Sequence, residues 1–479
     1  MGTPLLTIAQ HRLIEQDMRE QLGAGVLMAR AGAAAAALIA SRWPKQNTRI
    51  LIACGPGDNG GDGFSCALAL AEAGYQPTVI APAPSQTPDA QAVRKQWLAH
   101  HSLESHLPDL SGYSVIVDAL FGIGLTRPLQ APFSNIAMAL STAKAHLLAL
   151  DCPSGLDADR GRWLEGTPQL RAHTTLTFLA AKPGLYTGAA LDACGQIIIE
   201  PLGLADAMLT PSVGQLNEPS AFFPVCSPRL LDTHKGNYGA VAVIGGNTGM
   251  IGAALLAARA ALRLGAGRVY VDAISPTAPS IDPQQPELMF QSLARIPHAN
   301  AIVIGCGLGQ DNNAKSAYAA ASTHPATKII DADALTLAAG AWPADTIITP
   351  HPLEAAKLLH CGVDTIQADR IAAARALAEQ TQGIVILKGA GSVIATPEQY
   401  WINTTGGPAL ASAGSGDVLA GMIGALCAQG FKPAHAALAA TWLHGASAQR
   451  HGADIGLNAS EIAHLAAAQL ADLRRHQPN

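Results

Sequence analysis

The stretch Ser412-Ala413-Gly414-Ser415-Gly416-Asp417-Val418-Leu419-Ala420-Gly421 passes from small residues, through one aspartate, into the apolar run 418–426. Glycines and serines let the backbone turn its N–H groups toward an anion, and the helix that follows adds the positive end of its dipole. Phosphate fits such a loop. Asp417, at the junction, stands where a carboxylate takes a proton from a hydroxyl beside that phosphate. An aspartate at this place also caps helices, so the loop alone leaves both roles open.

Working outward, 479 residues exceed one ordinary domain. The 49% apolar residues, 47 glycines and only 14% charged residues suit a multidomain α/β enzyme. A net charge of −5, without a basic run, gives no footprint for nucleic acid or an anionic membrane. Charges at His11, Arg12, Glu15, Asp17, Arg19 and Glu20 interrupt any signal-peptide core, and the apolar segment 31–40 is too short to span a bilayer. A cytoplasmic enzyme with small-molecule ligands is expected. Eight scattered cysteines form no C-x-x-C pair, and the histidines lack zinc-site spacing.

Short apolar strands alternating with alanine-rich helices fill two halves. The first set of strands is expected at 49–53, 77–81, 114–117, 146–150, 174–179 and 196–199. The second is expected at 240–244, 268–272, 301–304, 328–330, 346–349 and 384–387, with 392–395 and 400–403 as a hairpin. Continuous runs such as Ile384-Val385-Ile386-Leu387 suit parallel strands covered on both faces. The proline-rich, weakly periodic stretch 201–228 places a boundary near residue 225, giving domains 1–225 and 226–479.

In the first half, chemistry gathers in loops after strands, the usual ligand edge of an α/β sheet. Cys54-Gly55-Pro56-Gly57-Asp58-Asn59-Gly60-Gly61-Asp62-Gly63 permits close backbone approach and adds side-chain oxygens. Asp118 and the run Gly122-Ile123-Gly124-Leu125-Thr126-Arg127-Pro128 follow a second strand, with Arg127 able to grip a phosphate. Asp151-Cys152-Pro153-Ser154 closes a third. Asn59, Asp118 and Asp151 thus converge on one edge.

In their order, these motifs resemble those of the bifunctional NAD(P)H-hydrate repair enzymes, an epimerase fused to a nucleotide-dependent dehydratase. GPGDNGGDGF, VDALFGIGLTRP, LDCPSGLDAD and AKPGLYTG resemble the epimerase; HKGNYGAVAVIGGN, LGAGRVYV, GCGLG, LKGAGSVI and SAGSGDVLAGMIGAL resemble the dehydratase. The likeness covers nearly the whole chain. It implies a Rossmann-like three-layer domain followed by a ribokinase-like domain, and repair of nicotinamide cofactors hydrated at C6. The first domain interconverts R- and S-NAD(P)HX, and the second dehydrates the S form with ADP, giving AMP and phosphate.

The resemblance places the hydrate in the first domain against Asp58, Asn59, Gly60, Gly61, Asp62, Gly122, Ile123, Gly124, Leu125, Thr126, Arg127 and Pro128. Asp151 and Lys182 are its catalytic candidates, and a potassium ion is expected at Asn59, Asp118 and Ser154. In the second domain, Ala240, Gly307, His351 and Asp417 would line the hydrate site. The nucleotide would lie on Lys388, Gly389, Ala390, Gly391, Ser392, Gly414, Ser415 and Gly416, with Mg2+ accompanying ADP. Asp417 would activate the C6 hydroxyl for phosphorylation. A solvated Lys182 and a loop-satisfied His351 remain alternatives. Leu353 and Cys306 depart from the family's common glycine and proline. Homo-oligomers are expected from the alanine-rich helices. The competing readings are a small-molecule kinase of ribokinase type with a nucleotide-binding module at its N-terminus, and an NAD-dependent oxidoreductase. Gln310 breaks the glycine fingerprint that the oxidoreductase requires.

Overall fold

A computed structural model describes residues 2–205, 209, 212–337, 342–343 and 345–475. The chain forms two compact units, Pro4–Ser212 and Val213–Asn479, the latter joined by Met1–Thr3.

In the first unit, a Thr7–Gln10 capping box starts helix α1 (Ile8–Leu22), and α2 (Val26–Arg42) follows a left-handed Gly25. Strand β1 (Ile50–Cys54) leads into α3 (Asp58–Glu72), then β2 (Thr78–Ile80), β3 (Val115–Ala119), β4 (His146–Leu150), β5 (Thr174–Phe178) and β6 (Gln196–Glu200). The sheet order is β2-β1-β3-β4-β5-β6 and every pairing is parallel. Every residue of β1 and β3 is buried, as expected of strands covered by helices on both faces. From β1 the chain moves to β2 on one side and then to β3 on the other, so the crevice lies between the loops after β1 and β3.

The second unit repeats this logic. Its strands are β7 (Gly214–Asn217), β8 (Ala240–Gly245), β9 (Arg268–Ala273), β10 (Met289–Phe290), β11 (Ala301–Ile304), β12 (Thr327–Ile330), β13 (Ile347–Ile348), β14 (Ile384–Leu387), β15 (Val393–Ala395) and β16 (Tyr400–Asn403). They lie in the order β7-β16-β15-β14-β13-β12-β11-β8-β9-β10, parallel except for both pairings of β15. The order reverses between β8 and β11. Helices α4 (Ile251–Arg263), α5 (Pro352–Leu358), α6 (Ser415–Ala428), α7 (Pro433–His451) and α8 (Ala459–Arg475) complete the parts used below.

Small residues set how closely α6 packs. A Cβ at Gly421 would fall 2.0 Å from the Ala257 carbonyl of α4, and one at Gly424 would fall 2.6 Å from Val303 Cγ2 of β11. The boundary differs from the expected residue 225. The segment Gly214–Asn217 pairs with Tyr400–Asn403 as a strand of the second unit, and Leu216 N–H donates to the Thr3 carbonyl at 2.8 Å. Its four residues, Gly-Gln-Leu-Asn, are too short and polar to show a strand pattern. Residues 206–208 and 210–211 of the expected linker lie outside the described residues. Among the described residues no single helix is long and apolar enough to cross a membrane.

Candidate active sites

The first crevice is a cavity of about 780 Å³ lined by Asp58, Asn59 and Asp62 of α3, the loop Leu120–Leu125, Asp151 and Lys182. Asp151 closes β4 with φ +65°, an uncommon conformation for a non-glycine residue and one that frequently marks functional sites. Its Oδ1 lies 2.8 Å from Lys182 Nζ, and its Oδ2 accepts the Ile123 N–H at 2.9 Å. A Cβ at Gly122 would stand 2.5 Å from Asp151 Oδ2, so a glycine is needed there. Lys182 is only 1% exposed and also donates to Thr177 Oγ1 at 2.7 Å and the Phe178 carbonyl at 3.0 Å. It is a buried partner of Asp151, which decides against the solvated alternative.

Burial opposes ionisation of Asp151, but the Lys182 cation and the hydrogen bonds outweigh it and hold its pKa below the ordinary carboxylate value. Asp62 goes the other way: burial, then Asp151 and Asp58, push it well up. The cavity thus brings together an ionised aspartate and one disposed to keep its proton.

Helix α1 supplies a wall that the sequence reading did not assign to the site, with His11, Arg12, Glu15 and Arg19 all lining the cavity. Arg19 pairs with Glu15 at 2.9 Å and with Asp58 at 3.0 Å. Burial and the neighbouring Lys182 lower the His11 pKa to about 4, leaving its ring neutral beside the Thr7 and Ala180 carbonyls. The four-residue rhythm of these side chains along one helix face was the available signal. Gly60 and Gly61 pack behind the cavity, where added Cβ atoms would strike the Gly55 carbonyl and Met28. Thr126, Arg127 and Pro128 are exposed and lie outside its lining.

Asp118 is fully buried at the end of β3. Its carboxylate accepts from Leu120 N–H, Ser154 N–H and Ser154 Oγ at 3.2, 2.8 and 2.6 Å, and the Phe121 N–H donates to Ser154 Oγ at 2.9 Å. With its amide turned to satisfy both ends, Asn59 donates to the Leu150 carbonyl at 3.3 Å and accepts from Gly122 N–H at 3.2 Å. The three expected ion ligands therefore meet around one loop. Burial raises the Asp118 pKa, and no lysine or arginine pairs with it among the described residues. A buried carboxylate without a cationic partner among the described residues, bonded to the Ser154 hydroxyl and close in the fold to the Asn59 amide, is a set of oxygen donors that fits a monovalent hard ion.

In the second unit, Gly414 takes φ +87° to start α6, so that Ser415, Gly416 and Asp417 form its first turn. The Ser415 carbonyl accepts from His444 Nε2 at 2.9 Å. Opposite, Lys388 at the end of β14 donates to Asp331 Oδ1 at 2.7 Å, and Thr349 Oγ1 donates to the same oxygen at 2.8 Å. A Cβ at Gly416 would stand 3.3 Å from Lys388 Nζ. The lysine and the glycine loop thus face one another. Arg370, beneath the next loop, donates to the Leu387 and Lys388 carbonyls at 3.3 and 3.2 Å, and its guanidinium fills the space a Cβ at Gly389 would need.

Cys306, Asp331 and Asp417 each place a ligand atom within 4.8 Å of the others. Burial, followed by the charge of Asp331, raises the Asp417 pKa to about 6. A carboxyl titrating there suits general-base work near neutral pH. Asp331 directly follows β12, and its pairing with Lys388 across 57 positions is made by the fold.

Gly307 takes φ +60° at the end of β11, and a Cβ there would meet Met250 and Ala253. Ala240 is misplaced in the sequence reading. It opens β8 at the far end of the strand from this loop and is 1% exposed, whereas Ala253 faces Gly307. His351 caps α5: its Nδ1 accepts from Leu353 and Glu354 N–H at 3.1 and 3.3 Å, while Glu354 returns a bond to His351 N–H. The other ring nitrogen, Nε2, lies 3.3 Å from Glu354 Oε1, and the ring is exposed.

Residues 241–469 match the family described as NAD(P)H-hydrate dehydratase, and residues 24–184 match that described as YjeF-related protein N-terminus. The bifunctional NAD(P)H-hydrate repair enzyme Nnr of Coxiella burnetii is 37% identical over 486 residues, covering 96% of this chain and 98% of its own. The chain belongs to the bifunctional NAD(P)H-hydrate repair enzymes. It is an epimerase joined to a dehydratase. The repair enzyme Nnr of Escherichia coli is also 37% identical, covering 92% of this chain and 88% of its own. A ribokinase-like superfamily protein from Enterococcus faecalis V583 superposes with a TM-score of 0.50 at 25% identity, covering 54% of this chain and 96% of that one. The ribokinase-like fold expected for the second half is thereby found, and the repair activity is favoured over a simple kinase.

Proposed function

We propose that the unit Pro4–Ser212 epimerises the C6 hydrate at Asp151 and that the unit beginning at Val213 dehydrates the S hydrate at Asp417. In the first crevice, the ionised Asp151 is the acceptor for a proton during opening or closing of the C6 centre. Lys182 keeps it ionised, and the Ile123 N–H aims it. Asp58, Asn59, Asp62 and the Gly122–Leu125 loop hold the hydrate. Potassium, supported by the uncompensated Asp118 carboxylate, would be held by Asn59, Asp118 and Ser154 and would neutralise charge near the substrate's phosphates.

In the second unit, Asp417 takes the proton of the C6 hydroxyl as that oxygen attacks the terminal phosphorus of ADP. AMP leaves, the new phosphate ester then breaks its C–O bond with help from the ring nitrogen, and C5 gives up a proton to the departing phosphate as the ring regains its double bond. Gly414, Ser415 and Gly416 present N–H groups to the transferring phosphoryl group, with Lys388 opposite them. Lys388 through Ser392 hold the remaining nucleotide phosphates, and Gly307 and His351 border the hydrate. The Asp331 and Asp417 carboxylates suit Mg2+ carried by the nucleotide, which would supply charge neutralisation.

The observation that carries this reading is Asp417 at the head of the glycine loop, with its pKa raised to about 6. The test is a product assay on mixed R and S hydrates with ADP and ATP in turn. Inorganic phosphate and restored NAD(P)H are expected, with ADP the better donor. A stable phosphomonoester would instead establish the kinase reading.

A further inference from the structure

The second unit has another cavity, of about 620 Å³, that shares no residue with the sites assigned above. One side is a single face of α4, where Leu256, Arg259, Ala260 and Arg263 follow helical spacing. The other is formed by the end of α7 and the first turns of α8, with Arg450, His451, Ala463 and His464. The floor is apolar: Ala260, Val418, Leu457 and Ala463 are all buried.

The rim is cationic. Arg259 is held by Asp282 at 2.6 and 2.7 Å, and Arg450 by Asp472 at 2.7 Å. The side chains of Arg263 and His464 are exposed, and among the described residues neither makes a hydrogen bond or ion pair. Glu461 is the one acid in the lining, and its carboxylate accepts the Asn458 N–H at 2.9 Å. An apolar floor of this volume beside a guanidinium and an imidazole without partners matches a ligand with a flat ring at one end and phosphate at the other.

The cavity also touches the back of the phosphate loop. A Cβ at Gly414 would fall 2.5 Å from Leu256 Cδ1 and 3.3 Å from Ala459 Cβ, both of them cavity walls, and Val418 of the floor adjoins Asp417. An occupant would therefore press on the residues that fix the left-handed Gly414. We infer that this cavity is a second, non-catalytic site for a nucleoside diphosphate, with its ring on the apolar floor and its phosphates on Arg263 and His464, coupled to the catalytic loop through Leu256 and Ala459.

The test is calorimetric titration of the full-length protein with ADP, without hydrate so that nothing turns over, together with hydrogen exchange over residues 256–264 and 459–466. Wild type should bind one equivalent more than the Arg263→Glu/His464→Glu double variant, and ADP should protect both segments. Those two side chains lie at the cavity rim, so the variant should keep its fold. Ala463→Trp, which fills the floor, should lose the same equivalent, and Lys388→Ala should lose a different one. Adenosine and inorganic tripolyphosphate, titrated separately, should each bind at least tenfold more weakly than ADP. Equal stoichiometry in wild type and the rim variant, unchanged exchange, or a change in sedimentation with no lost ADP equivalent would overturn the inference. The last of these would mark the face as a contact between copies of the chain.

Discussion

The two crevices use the same pair of residue types in opposite ways. In the first, Lys182 lies 2.8 Å from Asp151, and that aspartate is held ionised below its ordinary pKa. In the second, Lys388 pairs with the neighbouring Asp331 at 2.7 Å, and Asp417, half-buried beside a second carboxylate, rises to about 6. Moving the cation by one residue turns a permanently charged group into one that titrates near neutrality. Both arrangements grow from the same edge of an α/β sheet, the C-terminal ends of its strands: Asp151 and Lys182 follow β4 and β5, and Asp331 and Lys388 follow β12 and β14. The difference in chemistry therefore resides in side-chain pairing, and the fold provides only the edge.

The largest expected effect comes from removing the titrating group. Asp417→Asn should lower dehydration of pure S hydrate by about two to four decades while R-to-S exchange continues at the wild-type rate. Near-wild-type dehydration would remove Asp417 from the mechanism.

Breaking the buried pair in the other crevice comes next. Lys182→Met leaves Asp151 buried without its cation. It should slow exchange by about a hundredfold and destabilise the first unit by about 3–5 kcal/mol, read from its denaturant transition. Dehydration of pure S hydrate should not change, and a parallel loss of both activities would show that the crevices do not work separately.

A subtler change sharpens the comparison. Asp331 raises the pKa of Asp417, and Lys388 lowers it. Asp331→Asn removes the first and frees the second, so the acid limb of dehydration should move from about 6 toward the ordinary carboxylate range. A limb that stays in place would assign the titration to another group.

The smallest effect concerns the cation. Replacing potassium by a bulky organic cation at constant ionic strength should lower the first unit's melting temperature by roughly 2–4 °C and slow exchange, and Asp118→Ala should be insensitive to the replacement. Equal melting in both salts would leave Asn59, Asp118 and Ser154 as a purely structural knot.

Much of this was legible in the sequence because the elements are local. Strands such as Ile384–Leu387 announce themselves as apolar runs, and Gly414 through Asp417 carry their turn chemistry in adjacent residues. Asn59, Asp118, Asp151 and Ser154 were recognised as strand-end groups, and they do meet. What escaped depends on contacts distant in sequence or on elements without periodicity. The strand Gly214–Asn217 is recognisable only through its partner Tyr400–Asn403. The α1 wall is a polar face whose purpose appears once it covers a cavity. Ala240 was carried over by motif order, which does not fix which end of a strand a residue occupies.

The most direct test measures both half-reactions of one preparation against pH. Dehydration of pure S hydrate should fall by about tenfold per unit below a limb near 6, as its base takes up a proton. R-to-S exchange should stay level through that range, because Asp151 remains ionised beside Lys182. Limbs that coincide, or dehydration that stays flat through pH 6, would contradict the account.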